Sequence, residues 1–437
     1  MDMELPASLQ NGLAVYYLGA ALLNAGFAAY YFFNAKDVLK TAVWALVAIV
    51  FLVHSGAYFA HAGWVLPQPI RDAVDYVIGP VLYTLASVIL FAVMLIFRRF
   101  FVNPQVAWAL LNLSLIAGGW SMTDPYFREI VTKADNVPII ILIYSVGFCT
   151  WLGMHRAVIN DERIERGEPV LEKLDDDKVL VWPDLVYTEL IAMIVCTIVL
   201  VIWAILLKAP LEQPATSAKA PNPSKAPWYF LGLQEMLVYF DPWMAGVVLP
   251  TMIIIGLMAL PYIDFNRDGN GYFSFKRRWF AVTTFQFGFL VLWVTLIVLG
   301  TFLRGPNWNF FGPFEYWDPH KVDPLNNINV SDIFWLKLLN TSPSEVRLPI
   351  PGIHVRLLDA IWRELPGIII VLLYLLALPP LLARTIMRVF FIRMGFARFI
   401  ILVTLIQFMA SLPLKMVLRW TMNLKYIVFI PEIFFNI

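Results

Sequence analysis

The sequence predicts an all-α integral membrane protein with about ten transmembrane helices, an outer-side insertion and an interfacial C-terminal tail. Of its 437 residues, 60% are hydrophobic and only 14% are charged. A soluble domain cannot bury that much apolar surface, so the bilayer must act as the solvent for most of the chain. Because lipid offers no partner to free backbone groups, each apolar run is expected to be a helix.

Ten apolar runs have roughly the length that a bilayer requires, and the fourth and tenth are the shortest. They fall at residues 12–34, 42–61, 74–97, 104–120, 137–155, 185–207, 243–262, 279–302, 367–387 and 397–413. With the connections between them, they divide the chain into five predicted parts. These are an N-terminal five-helix membrane part (1–156), a charged cytoplasmic linker (157–180), a three-helix part (181–302), an outer-side insertion (303–366), and two C-terminal helices with an interfacial tail (367–437).

The basic residues of the short loops predict the orientation of the spans. The more basic set, expected in the cytoplasm, holds Lys36, Lys40, Arg98, Arg99, Arg156, Arg163, Arg166, Lys276, Arg277, Arg278, Arg384, Arg388 and Arg393. The opposite loops hold only Arg71, Arg128, Lys133, Lys208, Lys219 and Lys225. Ten spans then place both termini, and residues 208–242, on the outer side. A bacterial-type inner, energy-transducing membrane is the expected location.

Several classes of function are disfavoured by the sequence. The formal net charge is +1 and there is no basic patch, so nucleic-acid binding is not expected. Cys149 and Cys196 lie in apolar runs outside any Cys-x-x-Cys-His motif, which excludes covalent c-type haem. The acidic start predicts no cleavable signal peptide. Residues 266–274 resemble part of a calcium loop, but the twelfth position is Arg277 rather than glutamate, so a tight turn and no metal site are predicted.

The most informative stretch is residues 181–302. It contains Trp182-Pro183-Asp184, Pro210-Leu211-Glu212-Gln213-Pro214-Ala215, Pro221-Asn222-Pro223, Ala226-Pro227-Trp228-Tyr229-Phe230, Phe240-Asp241-Pro242 and Ala281-Val282-Thr283-Thr284, in that order. This order resembles the C-terminal half of the cytochrome b family, the separate subunit IV of bf-type complexes. In that family a Pro-Glu-Trp-Tyr turn lines the pocket where quinol is oxidised.

Quinol oxidation needs a flat apolar cleft and a group that takes a proton as the electrons leave. Aromatic side chains give the quinol ring a wall to stack on, and proline fixes the shape of a turn. A short helix should begin at this turn and run through Leu237. By resemblance, the predicted quinol-binding residues are Pro227, Trp228, Tyr229, Phe230, Tyr239 and Asp241.

The motif departs from the family at an important position. Aligned on the Trp-Tyr pair, the family's glutamate is replaced by Pro227 and its first proline by Ala226. Glu235 lies seven residues after Trp228, two turns along the same helical face. We therefore expect Glu235 to be the catalytic proton acceptor, with Tyr229 beside it. The alternatives are a carboxylate on the helix surface at the membrane interface and an interfacial aromatic belt.

Cytochrome b holds two haems between four histidines on two helices, and that pattern is absent among the five histidines of this chain. Haem b is therefore expected on a partner subunit. His54 and His61 are seven residues apart and are predicted to share one face of the second helix. A histidine within a span suggests function, here a contact with a haem or a quinone. The alternative is a polar pair that faces neighbouring helices.

The resemblance implies a membrane subunit of a bc-type quinol:cytochrome c oxidoreductase that contributes the outer-side quinol-oxidation site. Its cofactor would be a quinol of the menaquinone or ubiquinone type. Its partners would be a haem-bearing cytochrome b N-terminal subunit, a Rieske iron–sulfur protein and a c-type cytochrome, in a dimeric complex within the lipid bilayer. The alternative is a non-catalytic membrane scaffold of a larger redox complex. A transporter is less favoured because no paired broken helices stand out.

Overall fold

The protein is almost entirely helical, as the sequence predicts. A computed structural model describes residues 5–174, 177–207, 214, 216–218, 220–266, 271–324, 326–353 and 355–437. The chain is 73% helical with almost no sheet, which confirms the all-α fold class. Within the described residues, eight helices are long and apolar enough to cross a membrane, and the number rises to ten if two bent pairs are each one span. Most of Pro210–Ala215 lies outside the described residues, as do Asp268, Asn270 and His354.

The chain forms two compact units, and the first contains residues 1–219, 272–278 and 310–319. Its helices within the described residues are α1 (Ala7–Tyr30), α2 (Val38–Phe59), α3 (Gln68–Val77), α4 (Pro80–Ile96), α5 (Arg98–Phe101), α6 (Pro104–Ser121), α7 (Pro125–Val131), α8 (Val137–Glu165), α9 (Leu171–Leu174) and α10 (Val186–Leu206). Five-residue π-helical segments extend α1 through Tyr31–Ala35 and precede α10 at Val181–Leu185.

The second unit contains residues 220–271, 279–309 and 320–437. It holds α11 (Trp228–Met236), α12 (Leu249–Ile263), most of α13 (Phe275–Gln286), α14 (Val294–Val298), α15 (Val330–Asp332), α16 (Arg356–Arg363), α17 (Leu365–Leu372), α18 (Leu378–Arg384), α19 (Arg388–Met394) and α20 (Phe396–Met422). Strands β1 (Phe429–Ile430) and β2 (Phe435–Asn436) pair antiparallel. This unit also contains π-helical segments at Met244–Val248, Phe287–Trp293, Leu299–Leu303, Ile333–Leu338 and Leu373–Ala377. Its 3-10 turns are Pro306–Trp308, Pro343–Glu345 and Pro431–Ile433.

Two bent pairs of helices occur near the predicted third and fourth spans, and each pair extends beyond the predicted span. Helices α3 and α4 meet at 76°, and α6 and α7 meet at 116°. Pro80 and Pro125 begin the second helix of each pair. Proline fits the first turn of a helix but disfavours helical geometry in the residue before it, so the chain turns at these points. The Asp124 carboxylate accepts hydrogen bonds from the backbone N–H groups of Tyr126 and Phe127 at 2.9 and 3.0 Å and caps α7.

Two helices extend beyond their apolar runs. Helix α8 continues to Glu165, into the segment predicted to be a linker, and α20 continues to Met422. Hydropathy marks only the part of a helix suited to lipid, whereas backbone hydrogen bonding continues through polar residues. Near the end of α8, the buried Asp161 carboxylate accepts hydrogen bonds from the Ser274 Oγ at 2.6 Å and the Lys276 N–H at 3.0 Å. These bonds hold the start of α13.

The core of the first unit lies between α1 and α2. Ala14, Tyr17, Phe51 and Tyr58 are fully buried there, and the Ser55 hydroxyl donates to the Ala14 carbonyl at 2.8 Å. Small residues let two helix backbones approach closely in a membrane, and an interhelical hydrogen bond adds to the packing. This pairing therefore accounts for the burial of otherwise lipid-facing segments.

The C-terminal tail packs within the second unit. Val428 and Ile430 are buried, and Ile328 forms a parallel bridge with Leu424. The N terminus of α17 passes so close to this tail that a Cβ at Gly367 would overlap the Ile427 carbonyl oxygen. Part of the predicted outer-side insertion is thus ordered against the last residues of the chain.

Candidate functional site

The short helix α11 begins at the aromatic motif. Pro227 precedes it with φ −51° and ψ 148°, and the helix runs from Trp228 to Met236 with Leu237 as its C-terminal cap. Proline cannot donate a backbone hydrogen bond, and the first N–H groups of a helix have no partner within it. The predicted start is confirmed, and the predicted end agrees within one residue.

The segment before α11 is tied back onto the helix. Gln234 accepts a hydrogen bond from the Ala226 N–H at 2.8 Å and donates to the Ser224 carbonyl at 2.9 Å. The Lys225 ammonium donates to the Thr301 carbonyl at 2.8 Å. The aromatic turn is therefore fixed from both sides by side chains, which limits the motion of the residues that it presents.

The aromatic residues of the motif form an exposed row on this turn. Tyr229 and Phe230 are each 52% exposed, Pro227 is also exposed, and Trp228 is half-buried. The Trp228 and Tyr229 rings meet edge to face at 5.7 Å, and the Tyr229 and Phe230 rings lie 4.7 Å apart. The rings are tilted to one another by 87° and 57°, so each exposed ring offers its own flat apolar face on which a planar ring can stack.

The opposite face of α11 is buried. Leu231, Gly232, Glu235 and Met236 are all buried. Gly232 lies against the Trp293 ring, since a Cβ at this position would be 3.2 Å from the nearest ring atom. A small residue is needed here, and the close packing fixes the face of the helix that stays exposed.

Glu235 is fully buried in an ion pair with Arg304. The Arg304 Nη2 lies 2.7 Å from Glu235 Oε1, and its Nε lies 2.9 Å from Oε2. The Arg304 Nη1 donates to the Trp308 carbonyl at 2.7 Å. A bidentate arginine–carboxylate pair is strong and directional, and burial away from water strengthens it further. Both oxygens of the predicted proton acceptor are therefore occupied by one guanidinium.

Tyr239 completes this buried polar cluster. Its hydroxyl donates to Glu235 Oε1 at 3.2 Å, and only 1% of the residue is exposed. Burial, followed by the neighbouring Glu235 charge, raises the pKa of Tyr239 well above its usual range. The phenol therefore stays protonated and remains a hydrogen-bond donor to the carboxylate.

Asp241 lies at the start of the next span. Its backbone carbonyl accepts hydrogen bonds from Met244 and Ala245 at 3.0 and 2.9 Å, and its carboxylate accepts from the Tyr426 hydroxyl at 3.1 Å. Burial and this bond to Asp241 raise the pKa of Tyr426 to about 12. The predicted site residues thus divide into exposed rings, a buried ion-paired cluster and a helix-capping aspartate.

Arg304 was not predicted as a site residue. It follows the predicted eighth span, on the side where the short loops contain few basic residues. A basic residue that occurs where such residues are rare is a weak sequence indication that it has a specific partner. Its partner is 69 positions away in sequence. No local pattern connects two residues at that separation.

The prediction that His54 and His61 share a helical face is wrong. Helix α2 ends at Phe59, and His61 is exposed in the following turn with φ 56°. His54 is buried, with Trp64 and Trp120 ring centroids at 4.6 and 5.9 Å. The His54 Nδ1 lies 2.8 Å from the Val50 carbonyl oxygen. Among the described residues, no group of three or more metal-ligating side chains occurs.

Comparison with known families supports the resemblance read from the sequence. Residues 214–313 match the family model described as cytochrome b (C-terminal)/b6/petD. The match covers about a quarter of the chain and includes the aromatic turn, Glu235 and Arg304. It confirms the predicted cytochrome b C-terminal segment and supports a membrane subunit of a bc- or b6f-type complex. A search of the solved structures finds no match.

Proposed function

We propose that this chain is a membrane subunit of a bc-type quinol:cytochrome c oxidoreductase and contributes the outer-side quinol-oxidation site. The observation that supports this most directly is the pair of exposed rings of Tyr229 and Phe230 beside the half-buried Trp228, held by hydrogen bonds within the family-matched segment. A rigid and exposed aromatic surface can stack on a quinol ring without the cost of ordering flexible side chains.

In this proposal Tyr229 and Phe230 contact the quinol ring, Pro227 and Trp228 fix the turn, and the Tyr229 hydroxyl hydrogen-bonds a quinol oxygen. Glu235 accepts a proton only when Arg304 releases one of its oxygens, because both oxygens are engaged in the resting pair. Tyr239 would hold the carboxylate in place, and Asp241 would contribute through the orientation of the next span. A partner's haem and iron–sulfur cluster would accept the electrons.

The proposed setting follows from the same resemblance. The haem b would reside on a separate cytochrome b N-terminal subunit, with a Rieske protein and a c-type cytochrome completing a dimeric complex. The quinol would be of the menaquinone or ubiquinone type. Both chain termini and the aromatic turn would lie on the outer side of a bacterial-type inner membrane, because the short loops on the opposite side are richer in lysine and arginine.

A second candidate function is a non-catalytic scaffold in such a complex. It is favoured by the replacement of the motif glutamate by Pro227 and by the engagement of Glu235 with Arg304. A chain with this role would use the exposed rings to contact lipid or another subunit. Turnover would then be independent of the side chain at position 229.

The two candidates are separated by steady-state quinol:cytochrome c reductase activity of the complex purified through this chain. Tyr229→Ala should lower kcat/KM by about tenfold or more, since it removes one stacking ring and one hydrogen bond. Tyr262→Ala is the matched control, because Tyr262 is also exposed but lies at the other end of the following helix. Menaquinol and ubiquinol analogues are assayed in parallel.

Reduced activity of Tyr229→Ala beside normal activity of Tyr262→Ala, at equal yields of intact complex, would support the quinol site. Normal activity of both variants would favour the scaffold. A complex that has reductase activity but lacks this chain would also contradict the quinol-site proposal.

A further inference from the structure

A second feature of the chain does not belong to the aromatic turn. A cavity of about 650 Å³ lies within the second unit, between α20, the span that begins with α17, and the π-helical segments Met244–Val248 and Ile333–Leu338. Its walls are almost wholly apolar and include Phe240, Trp243, Tyr374 and Phe408. Cavities of this size commonly hold a small molecule or part of a lipid.

Lys415 lines this cavity, and its ammonium is buried beside the apolar wall. It is 1% exposed, and its ammonium lies 5.7 Å from the centre of the Phe240 ring. No hydrogen-bond acceptor contacts its Nζ among the residues that the structure describes. A buried charge that is left without a partner is costly, so a cation within a span normally faces a functional partner.

The charges around Lys415 do not compensate it. Its strongest charged neighbours are Lys425 and Arg419, and both are cations. Arg419 lies one turn further along α20, and Lys425 lies in the tail that follows. A buried cation whose nearest charged neighbours are also cations attracts an anion, whereas a neutral molecule leaves the buried charge uncompensated.

Lys415 lies within the stretch of α20 that lines the cavity. Lys415 lies about 10 Å from the C-terminal end of α20, estimated from the helical rise per residue. Gln407 lies two turns deeper, and its amide and backbone carbonyl are bonded to Tyr374. Along α20 the lining runs from Gln407 to Met422, so the apolar wall extends from Lys415 both inward and toward the end of the span. Such a wall suits the apolar part of an amphiphile whose anionic head pairs with Lys415.

We propose that this cavity binds an anionic amphiphile, with a carboxylate or phosphate head on Lys415 and an acyl chain along the apolar wall. The head group could come from a free fatty acid or from an anionic phospholipid, and both supply the oxygen anion that Lys415 lacks. The site stands apart from the aromatic turn, and it does not depend on the proposed quinol chemistry.

Native mass spectrometry of the full chain in mild detergent tests this, with oleate, phosphatidylglycerol and phosphatidylcholine as probes. The wild-type protein should retain a single oleate or phosphatidylglycerol molecule, and Lys415→Met should weaken that binding by about tenfold to a hundredfold. Lys415→Arg should retain it. The matched control is Lys337→Met, which removes an exposed cation from one of the segments that line the cavity.

Retention of oleate alone identifies a fatty acid as the source of the head group, and retention of phosphatidylglycerol alone identifies a phospholipid. Either result supports the proposal if Lys415→Met loses the adduct and Lys337→Met keeps it. Equal retention by wild type and Lys415→Met would overturn it. A preference for phosphatidylcholine, a co-purified neutral quinone at this site, or no retained amphiphile in any variant would overturn it as well.

Discussion

Breaking the Glu235–Arg304 pair should destabilise the protein far more than breaking an ion pair on its surface. Glu235 is fully buried and receives two of its three side-chain hydrogen bonds from Arg304. Arg304→Gln leaves the carboxylate with the Tyr239 hydroxyl at 3.2 Å and without access to water. Charged hydrogen bonds are worth about 1.5–3 kcal/mol each, and removal of one partner of a buried pair costs about 3–5 kcal/mol. We expect a loss of about 4 kcal/mol in the free energy of unfolding.

The double variant Glu235→Gln with Arg304→Met should behave differently from either single variant. It removes both charges together, and replacing a buried pair by uncharged side chains of similar volume is often close to neutral. We expect its stability to lie within about 2 kcal/mol of wild type, so the two single losses are not additive.

The assay is the free energy of unfolding in mixed micelles of dodecylmaltoside and SDS, followed by far-UV circular dichroism. Arg99→Gln is the control, because Arg99 and Glu162 form a pair at 3.4 Å with both side chains exposed. Its loss should cost less than about 1 kcal/mol. Losses below about 1 kcal/mol for Arg304→Gln, or additive losses in the double variant, would refute the reasoning.

Two further predictions concern the packing of the tail. Gly367→Ala should lower the free energy of unfolding in the same assay by about 1–3 kcal/mol, because the added Cβ overlaps the Ile427 carbonyl oxygen. Gly246→Ala is the control, because its added Cβ meets no neighbouring atom, and it should lower the free energy of unfolding by less. Gly352→Ala does not serve as a control because the φ of Gly352 is 81°. Burial raises the pKa of the Glu364 carboxyl above its ordinary value of 4.5. The folded protein then binds the proton more tightly than the unfolded chain. The free energy of unfolding of wild type, relative to that of Glu364→Gln, should therefore fall as the pH rises from 4.5. A stability difference between the two proteins that stays constant with pH would contradict this.

The sequence was sufficient to predict the membrane spans because their signal is local. An apolar run long enough for a bilayer must be helical, so each run predicted a helix without reference to the rest of the chain. The bends before Pro80 and Pro125 were not predicted. The end of α2 was not visible, since the apolar run continues through Ala60 after the helix has ended at Phe59. That difference of two residues moved His61 from a helical face into a turn.

The candidate site was only partly predictable for a related reason. The aromatic turn is a contiguous motif, and the prediction of its helix was accurate to one residue. The surroundings of Glu235 depend on Arg304, and those of Lys415 depend on segments spread from residue 240 to 437. Periodicity identifies the face of one helix but does not identify the neighbour of that face in another segment. Such pairings follow from tertiary packing.

The Asp161 contacts have a consequence for how the chain is assembled. Asp161 binds Ser274 and Lys276 across more than a hundred residues, and Asn160 donates to the Phe273 carbonyl at 3.0 Å. The end of α8 and residues 273–276 belong to one polypeptide, so they meet at the high effective concentration of an intramolecular contact. They are also always present in equal numbers. During synthesis the end of α8 emerges before the loop that leads into α13. Covalent continuity here replaces the recognition step that two separate subunits would require.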